Sequence, residues 1–290
     1  MAQSLSGKRG IVMAEVVTMG TRWTGRTSSG GSDGPGAVTK PEPAPVNCEH
    51  CGAEMRYRWA PVADSGWWIP PAPCTCSGTL AAAAAKRADR ERQERQRRMV
   101  ERDRLLMRSG LPALYLRATF ASAVATGHNR EALAAAREFA ERPVGGLLLS
   151  GPVGRGKTYL AACVVNHRLD MLQWTVFGNV VSLLGRIRHT YDEWSREAEW
   201  DVVNELTSVP VLVLDDLGKD RVTDWVEQVL YQVIDTRYRA NRPMVVTTNL
   251  GLRDLRDRYP EVGPALVSRI VDMCRGFRLG GPDWRMRRLG

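Results

Sequence analysis

Gly151-Pro152-Val153-Gly154-Arg155-Gly156-Lys157-Thr158 is the stretch on which the fold turns. A short apolar run, Gly146-Leu147-Leu148-Leu149-Ser150, comes before it. Tyr159-Leu160-Ala161-Ala162-Cys163-Val164-Val165 comes after and opens a helical pattern. Strand, glycine-rich loop and helix form the context that separates a Walker A phosphate loop from a glycine turn in an ordinary α/β domain. Gly151, Gly154 and Gly156 admit backbone angles that other residues avoid. The N–H groups of the loop then converge on a polyphosphate at the positive end of a helix dipole. Lys157 adds a point charge for the β- and γ-phosphates, and the Thr158 hydroxyl is a ligand for Mg²⁺. Gly151, Pro152, Val153, Gly154, Arg155, Gly156, Lys157, Thr158 and Tyr159 are therefore the expected ATP-binding set.

A second motif lies downstream. Val209-Pro210-Val211-Leu212-Val213-Leu214 is an apolar strand that delivers Asp215 and Asp216 at its C-terminal end, a Walker B arrangement. In that reading Asp215 holds the hydrated Mg²⁺ and Asp216 orients or deprotonates the attacking water. The alternative is a pair of acids capping the next segment. Met244-Val245-Val246-Thr247-Thr248 reads as a further buried strand, with Asn249 at its tip as a sensor of the lytic water or as a turn-forming Asn. Trp174–Phe177 and Phe277–Leu279 read as two more strands, making five in all. Helices are expected over Arg130–Glu141, Val180–Tyr191, Trp194–Val203 and Trp225–Arg239, and one is expected to close at Leu266–Ile270.

The remaining chain is organised differently. Residues 1–46 are rich in Gly, Ser, Thr and Pro and read as a disordered tail. Residues 47–78 carry Cys48, Cys51, Cys74 and Cys76, two close pairs able to form a tetrahedral Zn²⁺ site. Free thiols are the alternative, and His50 is a substitute ligand. Trp59, Trp67 and Trp68 lie between the pairs as a small core, a docking face or a stacking platform. Residues 79–112 form a charged linker helix, either a solvated face or a basic surface for nucleic acid or a partner. Residues 113–290 form the nucleotide-binding domain. The 290 residues carry a net charge of +9, which favours an acidic partner. No apolar run is long enough to cross a membrane. The absence of a signal peptide and the six cysteines beside a nucleotide site place the chain in the cytoplasm.

Together, the loop at 151–158, Asp215-Asp216, Thr247-Thr248-Asn249 and Ser268-Arg269-Ile270 resemble the AAA+ ATPases of the DnaC/DnaI helicase-loader group. Transposition helper ATPases of the IstB type share that domain. The resemblance covers about residues 100 to 290. It implies a P-loop AAA+ α/β fold with a five-stranded parallel sheet and no C-terminal lid domain. It also implies Asn249 as sensor 1, Arg269 as the arginine finger offered to a neighbour's nucleotide, and Arg285 as a terminal sensor arginine. On residues alone, Arg269 could equally be a surface arginine paired with Asp272 or another local acid. The implied function is ATP-dependent loading of a hexameric replicative helicase onto single-stranded DNA, with head-to-tail self-assembly. The alternatives are a transposase partner on double-stranded DNA and an adaptor that hardly hydrolyses ATP. Arg186, Arg188 and Tyr191 are the expected DNA contacts. The second Walker B acid is Asp where Glu is common in the wider family.

Overall fold

The computed structural model describes residues 41–62, 65–190 and 198–286. The expected disordered tail lies almost wholly outside them. The chain divides into two compact units, residues 1–84 and 85–290.

In the first unit, β1 (Val46–Asn47) pairs antiparallel with β2 (Glu54–Met55), and β3 (Arg58–Val62) with β4 (Ser65–Ile69). The turn between β1 and β2 carries Cys48 and Cys51. The Cys48 N–H donates to Ala53 O (2.8 Å) and the Gly52 N–H to Cys48 O (2.8 Å), with Gly52 at φ 74°. That left-handed position suits glycine, which lacks the Cβ that would clash there. In the second hairpin Trp59 stands opposite Trp68, their rings edge to face at 5.2 Å. Such aromatic cross-strand pairs hold a hairpin that has little other core.

A long helix, α1 (Ser77–Ser109), begins in the first unit and ends in the second. Its exposed middle is rich in Ala, Arg, Glu and Gln, all strong helix formers. Leu105 and Ser109 are buried, and Arg102 Nε donates to Asp170 Oδ1 at 2.6 Å, so its last turns pack into the nucleotide-binding unit.

The second unit continues with α2 (Arg130–Glu141), β5 (Gly146–Ser150), α3 (Lys157–Asp170), β6 (Thr175–Asn179), α4 (Val180–His189) and α5 (Glu199–Ser208). Then come β7 (Val211–Leu217), α6 (Asp224–Arg239), β8 (Met244–Thr248), α7 (Leu252–Arg258), α8 (Gly263–Met273) and β9 (Cys274–Arg278). The five strands form one parallel sheet in the order β6-β7-β8-β5-β9. The expected five-stranded α/β fold is present. Both faces of the sheet are covered, so its inner strands are apolar up to the polar residues at their C-terminal ends. Alternation assigns each side chain to a layer. Leu147, Leu149, Val211 and Val213 pack with α2 and α3, whereas Leu148, Leu212 and Leu214 pack with α4, α5, α6 and α8. Each fully buried Leu contributes about 1.5–3 kcal/mol.

Some boundaries differ from the sequence reading. The strand expected at 277–279 begins earlier, at Cys274, because it adds to the edge of β5, where an exposed Arg275 and Gly276 are tolerated. The helix expected from Trp194 starts at Glu199, and residues 191–197 lie outside the described residues.

Arg237 is fully buried and faces carbonyls. Its Nη1 donates to Leu206 O and Val209 O (both 2.9 Å), and its Nη2 to Pro243 O. Burial lowers its pKa to about 9, so it stays charged at neutral pH. The guanidinium ties the end of α5 to the starts of β7 and β8, satisfying carbonyls that would otherwise be buried unpaired.

Candidate nucleotide site

Ligands of parallel α/β sheets bind beyond the carboxyl ends of the strands. Here the ends of β5, β7 and β8 meet at one cleft of about 590 Å³. Its lining includes Val153–Tyr159, Asp216, Lys219, Asn249, Trp284 and Arg285. The loop between β5 and α3 holds Gly151, Gly154 and Gly156 at φ 130°, 76° and 88°. A Cβ on Gly154 would also collide with the Asp283 carboxylate, and the Trp284 N–H donates to Gly154 O at 2.9 Å. The loop is thus closed from behind by Gly281–Arg285.

Lys157 starts α3 and is 5 % exposed. Its Nζ donates to Gly151 O and Pro152 O, each at 2.8 Å, and burial lowers its pKa. Thr158 Oγ1 donates to Asp215 Oδ1 at 2.9 Å, and Thr247 Oγ1 donates to the same oxygen at 2.7 Å. Burial raises the Asp215 pKa, against the pull of those two hydroxyl bonds.

Consecutive residues on a regular strand face opposite sides of the sheet. Asp215 and Asp216 escape that rule because the β7–β8 register shifts between Leu214 and Leu217, with Asp216 in the left-handed region at φ 60°. The Thr247 hydroxyl accepts the Asp216 N–H at 2.9 Å and holds the distorted step. The Asp216 carboxylate accepts from Asn249 Nδ2 (3.3 Å) and pairs with Lys219 Nζ (2.7 Å). The structure therefore brings Gly151–Tyr159, Asp215, Asp216, Asn249 and Arg285 to one place.

It does not bring Arg269 there. Arg269 lies on α8, with Nε bonded to Asp235 Oδ1 (2.5 Å) and Nη2 to the Tyr231 hydroxyl (2.8 Å). Asp272 instead accepts from Tyr238. Burial raises the Asp235 pKa, but bonds from Arg269 and Arg239 outweigh it and bring the carboxyl below its ordinary value. Among the expected DNA contacts, Arg186 pairs with Glu205 (2.7 Å) and Arg188 lies over Trp225 (5.1 Å). Tyr191 lies outside the described residues.

Reading the sequence alone missed Lys219, Asp283 and the wall formed by Leu114, Tyr115, Ser122, Ala123 and Asn129. That wall carries no periodic signal. Thr247 was noted as strand but not as the residue that fixes both acids.

The cleft fits a nucleotide and its Mg²⁺. Arg155 Nη1 is buried there with no hydrogen-bond partner, and a phosphate oxygen would supply one. Thr158 and Asp215 already offer neighbouring hard oxygens of the kind magnesium prefers. In the first unit, the sulfurs of Cys48, Cys51, Cys74 and Cys76 lie within 4.8 Å of one another, a donor set that fits zinc. The Thr79 hydroxyl lies within hydrogen-bond distance of Cys48 Sγ (3.3 Å) and Cys76 Sγ (3.2 Å).

The family model for IstB-like ATP binding proteins matches residues 85–289. The chain belongs to that family. Within it, the DnaC-type AAA+ helicase loaders are relatives of this IstB-like protein. DnaC of Escherichia coli K12, a replicative helicase loader, is 27 % identical over 195 residues, 66 % of this chain and 75 % of that protein. YdaV of the same strain, a protein without assigned function, is 29 % identical over 198 residues, 67 % of this chain and 75 % of its own length. A crystal structure of the DnaC helicase loader superposes with a TM-score of 0.52 at 26 % identity, covering 58 % of this chain and all of that one. Among the described residues no helix is long and apolar enough to cross a membrane.

Proposed function

We propose that this chain is an ATPase that loads the hexameric replicative helicase onto single-stranded DNA, acting in the cytoplasm. The observation that carries the reading is the convergence of Lys157, Thr158, Asp215, Asp216 and Asn249 on one cleft in a chain similar to DnaC. Residues 113–290, with the end of α1, act as the motor. Residues 47–78 act as a zinc-stapled module, with the metal held by Cys48, Cys51, Cys74 and Cys76.

In the ATP complex, Lys157 turns from the Gly151 and Pro152 carbonyls to the β- and γ-phosphates, and Arg155 bonds a phosphate oxygen. Thr158 and Asp215 would hold Mg²⁺, which would supply charge neutralisation for the transferred phosphoryl group. Asn249 and Asp216 orient a water. Asp216 takes its proton as the water oxygen bonds to the γ-phosphorus and the bond to ADP breaks. Arg285 bonds phosphate from within the same chain. Arg269 serves the cleft of a neighbouring copy, which makes the assembly head-to-tail.

Lys157→Ala is expected to abolish ATP binding, measured with a fluorescent ATP analogue, while leaving the circular dichroism spectrum unchanged. Unchanged affinity would remove the foundation of the reading. The loader function itself is tested with the purified replicative helicase of the same host. The two proteins should co-elute with ATP, and helicase should transfer to a circular single strand only when both are present. The family match also favours a second reading, an IstB-like ATPase that assists a transposase. Turnover stimulated by double-stranded but not single-stranded DNA, with no helicase complex, would support it instead.

A further inference from the structure

We propose that α1 carries a second nucleic-acid contact, a single row of cations along its outer face that grips the phosphate backbone of a DNA strand. Lys86, Arg90, Arg97, Arg104 and Arg108 are all exposed residues of α1 and all belong to the nucleotide-binding unit. At 3.6 residues per turn they fall within about 40° of one another around the helix. From Lys86 to Arg108 the row runs roughly 33 Å at about 1.5 Å per residue. That length matches about ten nucleotides of a strand at ~3.4 Å each.

The rest of the helix is arranged around this row. Arg98 and Arg102, about a third of a turn away, bond Asp170 and face the domain, as do the buried Leu105 and Ser109. Of the other exposed cations, Arg87 pairs with Glu91 at 2.9 Å, while Arg92 and Arg95 stand on other faces of the helix. Asp89 instead accepts from Gln93 at 2.8 Å. Within the row, and among the described residues, Arg104 alone has a carboxylate within ion-pair distance, Glu101 at 3.9 Å, and Arg108 stacks on Trp174 at 4.7 Å. Lys86, Arg90 and Arg97 face solvent with no carboxylate at ion-pair distance among the described residues. Gln93 and Val100 fill the gaps in the row, so no acid interrupts it.

A solvated helix face normally mixes both signs, which gains local pairs and avoids self-repulsion. A line of five cations with no acid between them is favourable when a linear polyanion lies along it and its counterions are released. The regular line and its length favour a nucleic-acid strand over an acidic protein patch. For the identity of the partner, the inference rests on the function proposed above. The surface itself follows from the helix alone.

The test uses the full chain and a fluorescent single-stranded oligonucleotide, with affinity measured across a salt series. Lys86→Gln, Arg90→Gln and Arg97→Gln are combined in one variant. Arg87→Gln, Arg92→Gln and Arg95→Gln, which remove the same charge from other faces of the same segment, form the control. Each lost phosphate contact should flatten the slope of log K against log salt by about 0.7. The row variant should therefore lose roughly 2 units of slope. The control should keep the wild-type slope, and both should keep helicity and ATP affinity. Equal flattening in the two variants would reduce the effect to bulk charge and overturn the row. A wild-type slope in the row variant would overturn it as well, and if helicase binding were lost at the same time, the row would belong to an acidic protein surface. A wild-type chain that binds no strand at all would sink the DNA part of the proposed function together with this inference.

Discussion

Asp216 is the residue on which the chemistry of the cleft depends most. Its left-handed backbone turns a second acid toward the site, and Lys219 then clamps that acid at 2.7 Å. An ammonium group bonded to that carboxylate occupies an oxygen that the attacking water would otherwise bond. Lys219 is half-exposed, so the pair is worth only about 0.2–1 kcal/mol. Lys219→Ala is therefore expected to raise basal ATP turnover roughly 2- to 5-fold, without changing nucleotide affinity, as measured by phosphate release. Unchanged or slower turnover would show that Lys219 does not restrain Asp216. Neither the clamp nor the bulge was legible beforehand. Asp215-Asp216 announced two acids at a strand end, yet a regular strand would have pointed them apart. Only the register shift against β8, with Thr247 bridging both residues, resolves that conflict.

At the scale of elements, legibility followed periodicity and burial. The helix expected over Arg130–Glu141 has those bounds, because Leu133, Ala136 and Phe139 recur on one face and Pro143 follows its end. The buried strands β5, β7 and β8 were equally plain as apolar runs. The wall around Tyr115 and Ser122 was not, since irregular backbone is ordered by tertiary bonds such as those from Asn166 Nδ2 to Tyr115 O and Ala118 O. The hairpins between the cysteine pairs are too short for a pattern to speak. Their cysteines did speak, and the four sulfurs cluster as a zinc site requires. Purified protein is expected to carry about one zinc per chain by metal analysis. A Cys48→Ser, Cys51→Ser variant should lose that zinc and become protease-sensitive between residues 41 and 76. Wild-type protein that is free of metal yet protease-resistant there would refute the site.

For the whole molecule, the open question is how copies meet. Arg269 lies on α8 with Asp235 and Tyr231, away from its own cleft. If it serves a neighbour, it must exchange Asp235 for a γ-phosphate. An arginine supplied in trans accelerates hydrolysis about 10³-fold or more. Arg269→Ala should therefore keep ATP binding but lose DNA- or helicase-stimulated turnover. Mixing it with Asp216→Asn, which retains Arg269, should restore part of the activity. Asp235→Ala separates this role from stability: it breaks the same pair yet leaves Arg269 free to reach across, so stimulated turnover should survive. If Asp235→Ala is as inactive as Arg269→Ala, and mixtures stay silent, the arginine is only a brace for α6 and α8.

The order of the sheet also has a consequence for synthesis. β5 lies between β8 and β9, Ser150 O accepts the Leu279 N–H at 2.8 Å, and Gly154 O accepts the Trp284 N–H. The phosphate loop is thus completed by residues made more than a hundred positions after it. Ser150 and its partner Phe277 are 127 residues apart. At about 5–20 residues per second, a ribosome leaves β5 without β8 for roughly 5 to 20 s and without β9 for roughly 6 to 25 s. During that interval the nascent chain exposes an apolar strand with first both edges open and then one, a substrate for chaperones and a hazard in crowded polysomes. Ribosome-bound chains stalled at Asn249 should not be retained on immobilised ATP. Chains carried past Trp284 on a spacer long enough to clear the exit tunnel should be.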